Sequence, residues 1–320
     1  MTSQSNSDGS SQSVTRFDRA AVFVNERAGG GKAQRLFPFL EQIFREHGIS
    51  TQIRTTPNSK ELESLAKEAI QGGERLLFAV GGDGTLQGLV NAAYGHDVVL
   101  GVIPAGGGND FARALNLPRE PLAALRAALC SEPRSVDLAR VRTCDRHQRL
   151  FLGGGGLGLD ADAAQLAGVR YRNWPGRSRY LAAAIHAYAR YTLRRVRVTV
   201  EPPNEVPPWQ SCVLACVLNT PTYGAGIRLA PQARIDDGLL DFAFLEELGV
   251  GRLVRILPQL VLQGTLNLPA LRTLQFRKMC LETEAPAYFQ GDGELLGPTP
   301  VEIEVVPSAV KFLTPKFGQP

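Results

Sequence analysis

The chain has 320 residues, is 44% hydrophobic and 21% charged, and carries a formal net charge of +4. That length predicts two domains, and the composition is that of an ordinary soluble globular protein. The mild basic excess favours anionic partners without identifying one.

The opening, "MTSQSNSDGSSQSVT", is polar and Ser-rich, without the apolar core of a secretory signal, and is predicted as a disordered tail over residues 1–15. No apolar run reaches the about 18 residues that suggest a membrane-spanning helix, which predicts a cytoplasmic protein. "AAVFVN" is the first predicted strand, and "AQRLFPFLEQIFREHG" a helix ending at Gly48. "TQIRTT" is the next strand. "SKELESLAKEAIQGG" follows as a helix, with Ser59 as its N-cap and Gly72 as its stop. "RLLFAV" and "VVLGVIP" read as buried strands; between them Leu86, Leu89, Val90 and Ala93 share one helix face. Strands alternating with helices imply a doubly wound, mostly parallel Rossmann-like sheet, whose ligands bind where strands end and helices begin.

After about Val136 the pattern changes to Val-, Leu- and Phe-rich runs: "RLFLGGG", "RRVRVTVE", "SCVLACVLN", "LLDFAFLEE", "TLQFRKMCLET" and "VEIEVVP". "PPNEVPP" is a surface turn, and helices are predicted near 178–195 and 249–263. A mostly antiparallel β domain fits this half. The predicted domains are 16–140, α/β, and 141–320, an all-β sandwich whose last strand is open to returning to the first. The five cysteines form no CxxC pair; Cys212 and Cys216, on one face of "SCVLACVL", read as core packing in a reducing compartment, and the four scattered histidines suggest no metal cluster.

Three glycine-rich loops fall at strand-to-helix junctions: "NERAGGGKA", "GGDGT" and "IPAGGGNDFARAL". Each alone is compatible with a bare turn, since glycine reaches positive φ without steric cost. A helix N-terminus, however, presents free N–H groups and the positive end of a dipole to anions. Three such loops on one sheet favour a nucleotide phosphate site. "GGDGT" lacks the ligand spacing of a calcium loop. "AGGGKAQ" fails as a Walker A because Glu26 and Ala33 stand where Gly and Ser/Thr are required. "GGGGLG" satisfies GxGxxG through Gly153, Gly155 and Gly158, but no acidic residue lies between 163 and 200 to hold a ribose.

With these loops assembled, the chain resembles the bacterial diacylglycerol kinase and lipid kinase family, relatives of sphingosine and ceramide kinases. "VGGDGTLQGLVNA", "IPAGGGNDFARAL", "NTPTYGAGIRLAPQARIDDGLLDF" and "QGDGELL" carry the likeness, which spans Ala21 to about Thr314. The resemblance implies an ATP- and magnesium-dependent kinase with ATP and lipid held between the two domains. Gly81, Gly82, Asp83, Gly84, Thr85, Leu86 and Gln87 would serve the ATP phosphates, with Asn25, Thr56 (or the adjacent Thr55), Gly107 and Asn109 also in contact with nucleotide. Asp83 would position magnesium through water, supported by Asp110 and Asp137. Asp237 with the main-chain carbonyls of Arg234 and Leu239 matches a structural magnesium site, and Glu294 the general base, with Asp292 beside it. Departures are Gly107, where the family commonly has Thr or Ser, a missing asparagine in 151–156, and a missing histidine near 266.

The chemistry is independently plausible from the residues. Glycine loops with Asp83 neutralise and position phosphates, and "GDGE" offers a base. If that stretch is extended, Asp292 and Glu294 share a side and raise one another's pKa; the competing reading is a plain hairpin turn. The segment 163–200 has eight arginines interleaved with Tyr171, Trp174, Tyr180, Tyr188 and Tyr191, a composition suited to an anionic membrane surface. The expected partners are therefore ATP, a lipid and the inner face of the membrane, with a homodimer left open and nucleic acid excluded for want of a recognition motif.

Overall fold

The computed structural model describes residues 17–158, 170–171, 182, 186, 194–201, 208–224, 226–246 and 270–315. Four strands, β1 (Arg19–Asn25), β2 (Ser50–Thr56), β3 (Leu76–Gly81) and β4 (Val99–Pro104), lie in the order β2-β1-β3-β4, all parallel. Five helices join or flank them: α1 (Phe37–Glu46), α2 (Ser59–Gln71), α3 (Asp83–Ala93), α4 (Asp110–Ala114) and α5 (Pro121–Leu129). β3 and β4 are buried at every position, as expected of strands covered on both faces. Phe44 of α1 meets Phe78 of β3 edge-on, with ring centroids 5.0 Å apart, so helix and sheet share one core.

Two helix expectations need correction. The segment before Phe37 is a short 3-10 helix, Lys32–Leu36, and the α-helix starts only at Phe37. Pro38 explains the break, because its missing N–H and fixed φ are tolerated only in a first turn. The N-cap of α2 is Asn58, not Ser59: its side chain accepts from Glu61 N at 2.9 Å. That leaves the Ser59 hydroxyl uncommitted to capping.

The β half begins with β5 (Glu132–Thr143), β6 (Gln148–Phe151), β7 (Gly154–Gly158), β8 (Arg194–Val200) and β9 (Gln210–Leu218). Next come β10 (Thr222–Tyr223), β11 (Ile227–Arg228), β12 (Leu240–Glu246) and β13 (Leu271–Phe276). It closes with β14 (Lys278–Thr283), β15 (Tyr288–Gly291), β16 (Glu294–Pro298) and β17 (Val301–Thr314). Neighbours in this half pair antiparallel, and Phe151, Phe242, Phe276 and Phe289 fill its core. "TLQFRKMCLET" is two strands that separate at Arg277: β13 pairs with β12, whereas β14 pairs with β8 and β17. β17 runs antiparallel to β5 along its length and, past a register shift between Val306 and Val310, pairs parallel with β4. This one strand therefore joins the two halves into one continuous sheet, meeting β4 at its first residues, Val99 and Leu100. The helix near 249–263, most of that near 178–195, and most of the "PPNEVPP" turn lie outside the described residues. Among the described residues no helix is long and apolar enough to cross a membrane.

Candidate functional site

The first two residues after β3 set the site. Gly82 caps α3, and Asp83 is its first residue. Asp83 turns its carboxylate sideways onto the next loop, accepting from Asp110 N at 3.1 Å and Phe111 N at 3.0 Å. These are the first two N–H groups of α4, so Asp83 caps that helix from a neighbouring element. Asn109 holds positive φ of 54° and folds back to bridge Gly106, donating to its carbonyl at 2.9 Å and accepting from its N–H at 3.1 Å. Asn25, at the end of β1, donates to Thr85 Oγ1 at 2.9 Å. Three sequence-predicted positions thus brace the glycine loops against one another.

The two central loops touch through backbone. A Cβ on Gly106 would lie 2.6 Å from Gly82 Cα, whereas one on Gly107 would meet nothing within 4 Å. Gly106→Ala is expected to lower stability by about 1–3 kcal/mol, and Gly107→Ser to leave it within about 0.5 kcal/mol. Urea unfolding of the two variants checks this; equal effects would contradict the close crossing.

The second domain reaches this loop by the β15–β16 hairpin. Its turn is Asp292-Gly293, with φ of 49° and 86°, joining the paired residues Gly291 and Glu294. The stretch is therefore not extended, and the expected shared face of Asp292 and Glu294 does not form: the two-residue Asp-Gly turn sends them to different partners. Asp292 accepts from Leu152 N, Gly153 N and Gly154 N at 2.8, 2.9 and 3.3 Å, holding the loop between β6 and β7. Glu294 instead accepts from the Ser59 hydroxyl at the start of α2. A Cβ on Gly84 would lie 3.5 Å from the Asp292 carbonyl and 3.9 Å from Glu294 Oε1, so the start of α3 faces the hairpin directly. Gln87 completes the contact by donating to the Gly291 carbonyl at 3.1 Å.

Electrostatics follow the crowding. Asp292 is pushed up to about 7, by burial first, with the Asp83 charge adding to it against the three N–H groups. Asp83 is pushed up to about 6, by burial and then by Asp110, against its two N–H donors. The charge that acts on Asp292 comes from the other domain and not from the residue two places along. Folded Asp292 holds its proton above the unfolded value near 3.9, so its stabilising effect is fully present below that value and is lost as pH rises through about 7. The stability deficit of Asp292→Asn relative to wild type should therefore shrink between about pH 4 and pH 7. Urea titrations across that range check it, and a constant deficit would contradict it.

Further from the hairpin, Asp110 is buried and binds Arg113 at 2.6 Å and Thr222 Oγ1 at 2.7 Å, linking α4 to the β half. Asp137 is also buried; its two oxygens accept from Ser308 N at 2.7 Å and Gly238 N at 2.6 Å, tying β5 to β17 and to the 235–239 loop. Asp237 accepts from Leu239 N at 3.0 Å within that loop, while the side chain of Arg234 is exposed and pairs with Asp236 at 3.5 Å. Among the described residues no three His, Cys, Asp or Glu side chains group as a metal site. Thr56 is fully buried at the end of β2, and neither its hydroxyl nor Gln87 Oε1 has a hydrogen-bond partner among the described residues; Thr55 is exposed. Leu86 turns its side chain into the core. Sequence reasoning missed Ser59, Arg113 and Thr222. Arg113 lies inside the quoted "IPAGGGNDFARAL" and Thr222 inside "NTPTYGAGIRLAPQARIDDGLLDF", the signals that point to them, whereas the sequence reads Ser59 as a cap.

The site is thus a parallel α/β domain with glycine loops at its strand ends, faced by a carboxylate-bearing hairpin of an antiparallel domain. Residues 19–141 match the diacylglycerol kinase catalytic domain, and residues 156–314 the YegS C-terminal NAD kinase beta sandwich-like domain. A diacylglycerol kinase of Mycobacterium tuberculosis is 27% identical over 302 residues, covering 94% of this chain and 96% of that one. A probable lipid kinase YegS-like protein of Stenotrophomonas maltophilia is 30% identical over 283 residues, covering 85% and 89%. The crystal structure of a putative diacylglycerol kinase from Bacillus anthracis shares the fold, with TM-score 0.77, 21% identity and coverage of 94% and 98%. The chain belongs to the diacylglycerol kinase and YegS-like lipid kinase family.

Proposed function

We propose that this lipid kinase transfers the γ-phosphoryl group of ATP to the hydroxyl of a lipid, diacylglycerol first, to give phosphatidic acid. The observation that carries the reading is the meeting of Glu294 with the start of α3: a carboxylate from one domain stands at the glycine loop of the other. ATP lies with its phosphates at Gly81–Gln87 and Gly107–Asn109, and the lipid enters from the side of the hairpin. Glu294 takes the proton of the lipid hydroxyl as its oxygen attacks the γ-phosphorus, and the bond to the bridging oxygen breaks to release ADP. Asp83 keeps the two loops in register through its N–H bonds. Magnesium, when bound, neutralises phosphate charge; Asp83 oxygens retain lone pairs for its water, with Asp110 close by. The enzyme works at a membrane surface, which the lipid acceptor requires, and on the inner face, where ATP is available.

The hard oxygen donors of Asp237 and the Arg234 and Leu239 carbonyls suit magnesium as a structural ion. Magnesium should then raise the melting temperature of wild type and not of Asp237→Asn; equal stabilisation of both would remove that assignment. The reaction is tested with γ-labelled ATP on diacylglycerol, sphingoid bases, other glycerolipids and NAD. Label is expected in diacylglycerol. Label in NAD and in no lipid would overturn the reading, and ATP binding without turnover would mark a regulatory protein.

A further inference from the structure

We infer that Ser59 is a positioning residue for Glu294, an assignment that rests on Glu294 being the general base. Three observations converge on it. The Ser59 hydroxyl donates to Glu294 Oε1, a contact 235 positions apart in sequence that joins the N-terminus of α2 to the first residue of β16. Capping of α2 is done by Asn58, whose Oδ1 takes the Glu61 N–H, so the Ser59 hydroxyl is not needed for the helix. The approach of α2 is itself built in: a Cβ on Gly88 of α3 would lie 2.5 Å from the Ser59 carbonyl oxygen and 3.2 Å from its carbonyl carbon. Only a residue without a side chain lets α3 pack this tightly on the first turn of α2, and that packing sets where the hydroxyl stands.

The chemical consequence concerns geometry. Glu294 begins a strand immediately after a two-residue turn, and its side chain has rotamer freedom that a base cannot use. One donor from Ser59 selects a single orientation, leaving the other carboxylate oxygen for the substrate proton. A hydrogen bond to a charged acceptor is stronger than a neutral one and directs its acceptor accordingly. Small errors in the position of a reacting group cost large factors in rate without weakening ground-state binding.

The test is steady-state kinetics of the full chain with γ-labelled ATP and diacylglycerol in mixed micelles. Wild type, Ser59→Ala, Ser59→Thr, Glu294→Gln and the Ser59→Ala/Glu294→Gln double variant are compared, each with its melting temperature. Ser59→Ala should lower kcat about tenfold with the KM for ATP and the melting temperature at wild-type values. Ser59→Thr, which keeps the hydroxyl, should recover kcat. In the Glu294→Gln background, Ser59→Ala should add nothing, because the oriented base is already gone. A wild-type kcat in Ser59→Ala, or the same tenfold loss in the Glu294→Gln background, overturns the positioning role while leaving the base in place. A wild-type kcat in Glu294→Gln sinks the base reading itself, whatever Ser59 does.

Discussion

Glu294→Gln is expected to lower kcat by about 10²–10⁴-fold, the usual cost of losing a general base, while the KM for ATP stays near wild type. The glutamine keeps the shape and can still accept the Ser59 hydroxyl through its amide oxygen. What it loses is the site that takes the proton. On the proposed reading the nucleotide is held by the glycine loops of the other domain, whose residues the substitution leaves unchanged, so the loss is expected to fall on kcat. Substrate-saturation kinetics separate the two. Near-normal kcat in Glu294→Gln alongside loss in Asp83→Asn would move the base to Asp83, the carboxylate in the facing loop.

Asp83→Asn is expected to abolish measurable turnover and to lower stability by about 1–3 kcal/mol. Asp83 accepts two backbone N–H groups, one on each oxygen. An asparagine offers one acceptor and one donor, so one of the Asp110 and Phe111 N–H groups is left facing an N–H₂ group. The first turn of α4 then loosens, and with it the second glycine loop. The negative charge that the proposed function sets beside the phosphates is lost at the same time. Calorimetric or urea unfolding reports the first effect and phosphoryl transfer the second; full activity with reduced stability would confine Asp83 to a structural role.

Local chemistry made the first domain legible. Strand and helix periods, with glycine-rich loops after β1, β3 and β4, predict β1 to β4 and α1 to α3 from the chain alone. The misreadings arose where neighbours compete or where partners are distant. Asn58 and Ser59 are both competent caps, and sequence alone does not show that Glu294, far along the chain, claims the second. The "GDGE" stretch was compatible with strand or turn; the Asp-Gly pair decided for the hairpin, so the carboxylates diverge, and the field on Asp292 comes from Asp83. β5 escaped notice because "EPRSVDLARVRT" mixes charges with apolar residues, one arm lying beside the first core and the other on the second. Its partner β17 alternates in the same way, with Glu304 and Glu302 answering Arg140 and Arg142 at 2.7 and 3.0 Å. Asp137, expected near magnesium, is bonded to the N–H groups of Gly238 and Ser308, a role set wholly by tertiary contacts.

The central claim is that the glycine loops and the Glu294 hairpin form one phosphoryl-transfer site. Its most direct measurement follows the label from ATP carrying it at the γ or the α position, with diacylglycerol as acceptor, in wild type and Glu294→Gln side by side. The account predicts labelled phosphatidic acid from γ-labelled ATP alone, and its near disappearance in the variant. Transfer that is unchanged in Glu294→Gln, or no lipid label from γ-labelled ATP in wild type, would contradict it.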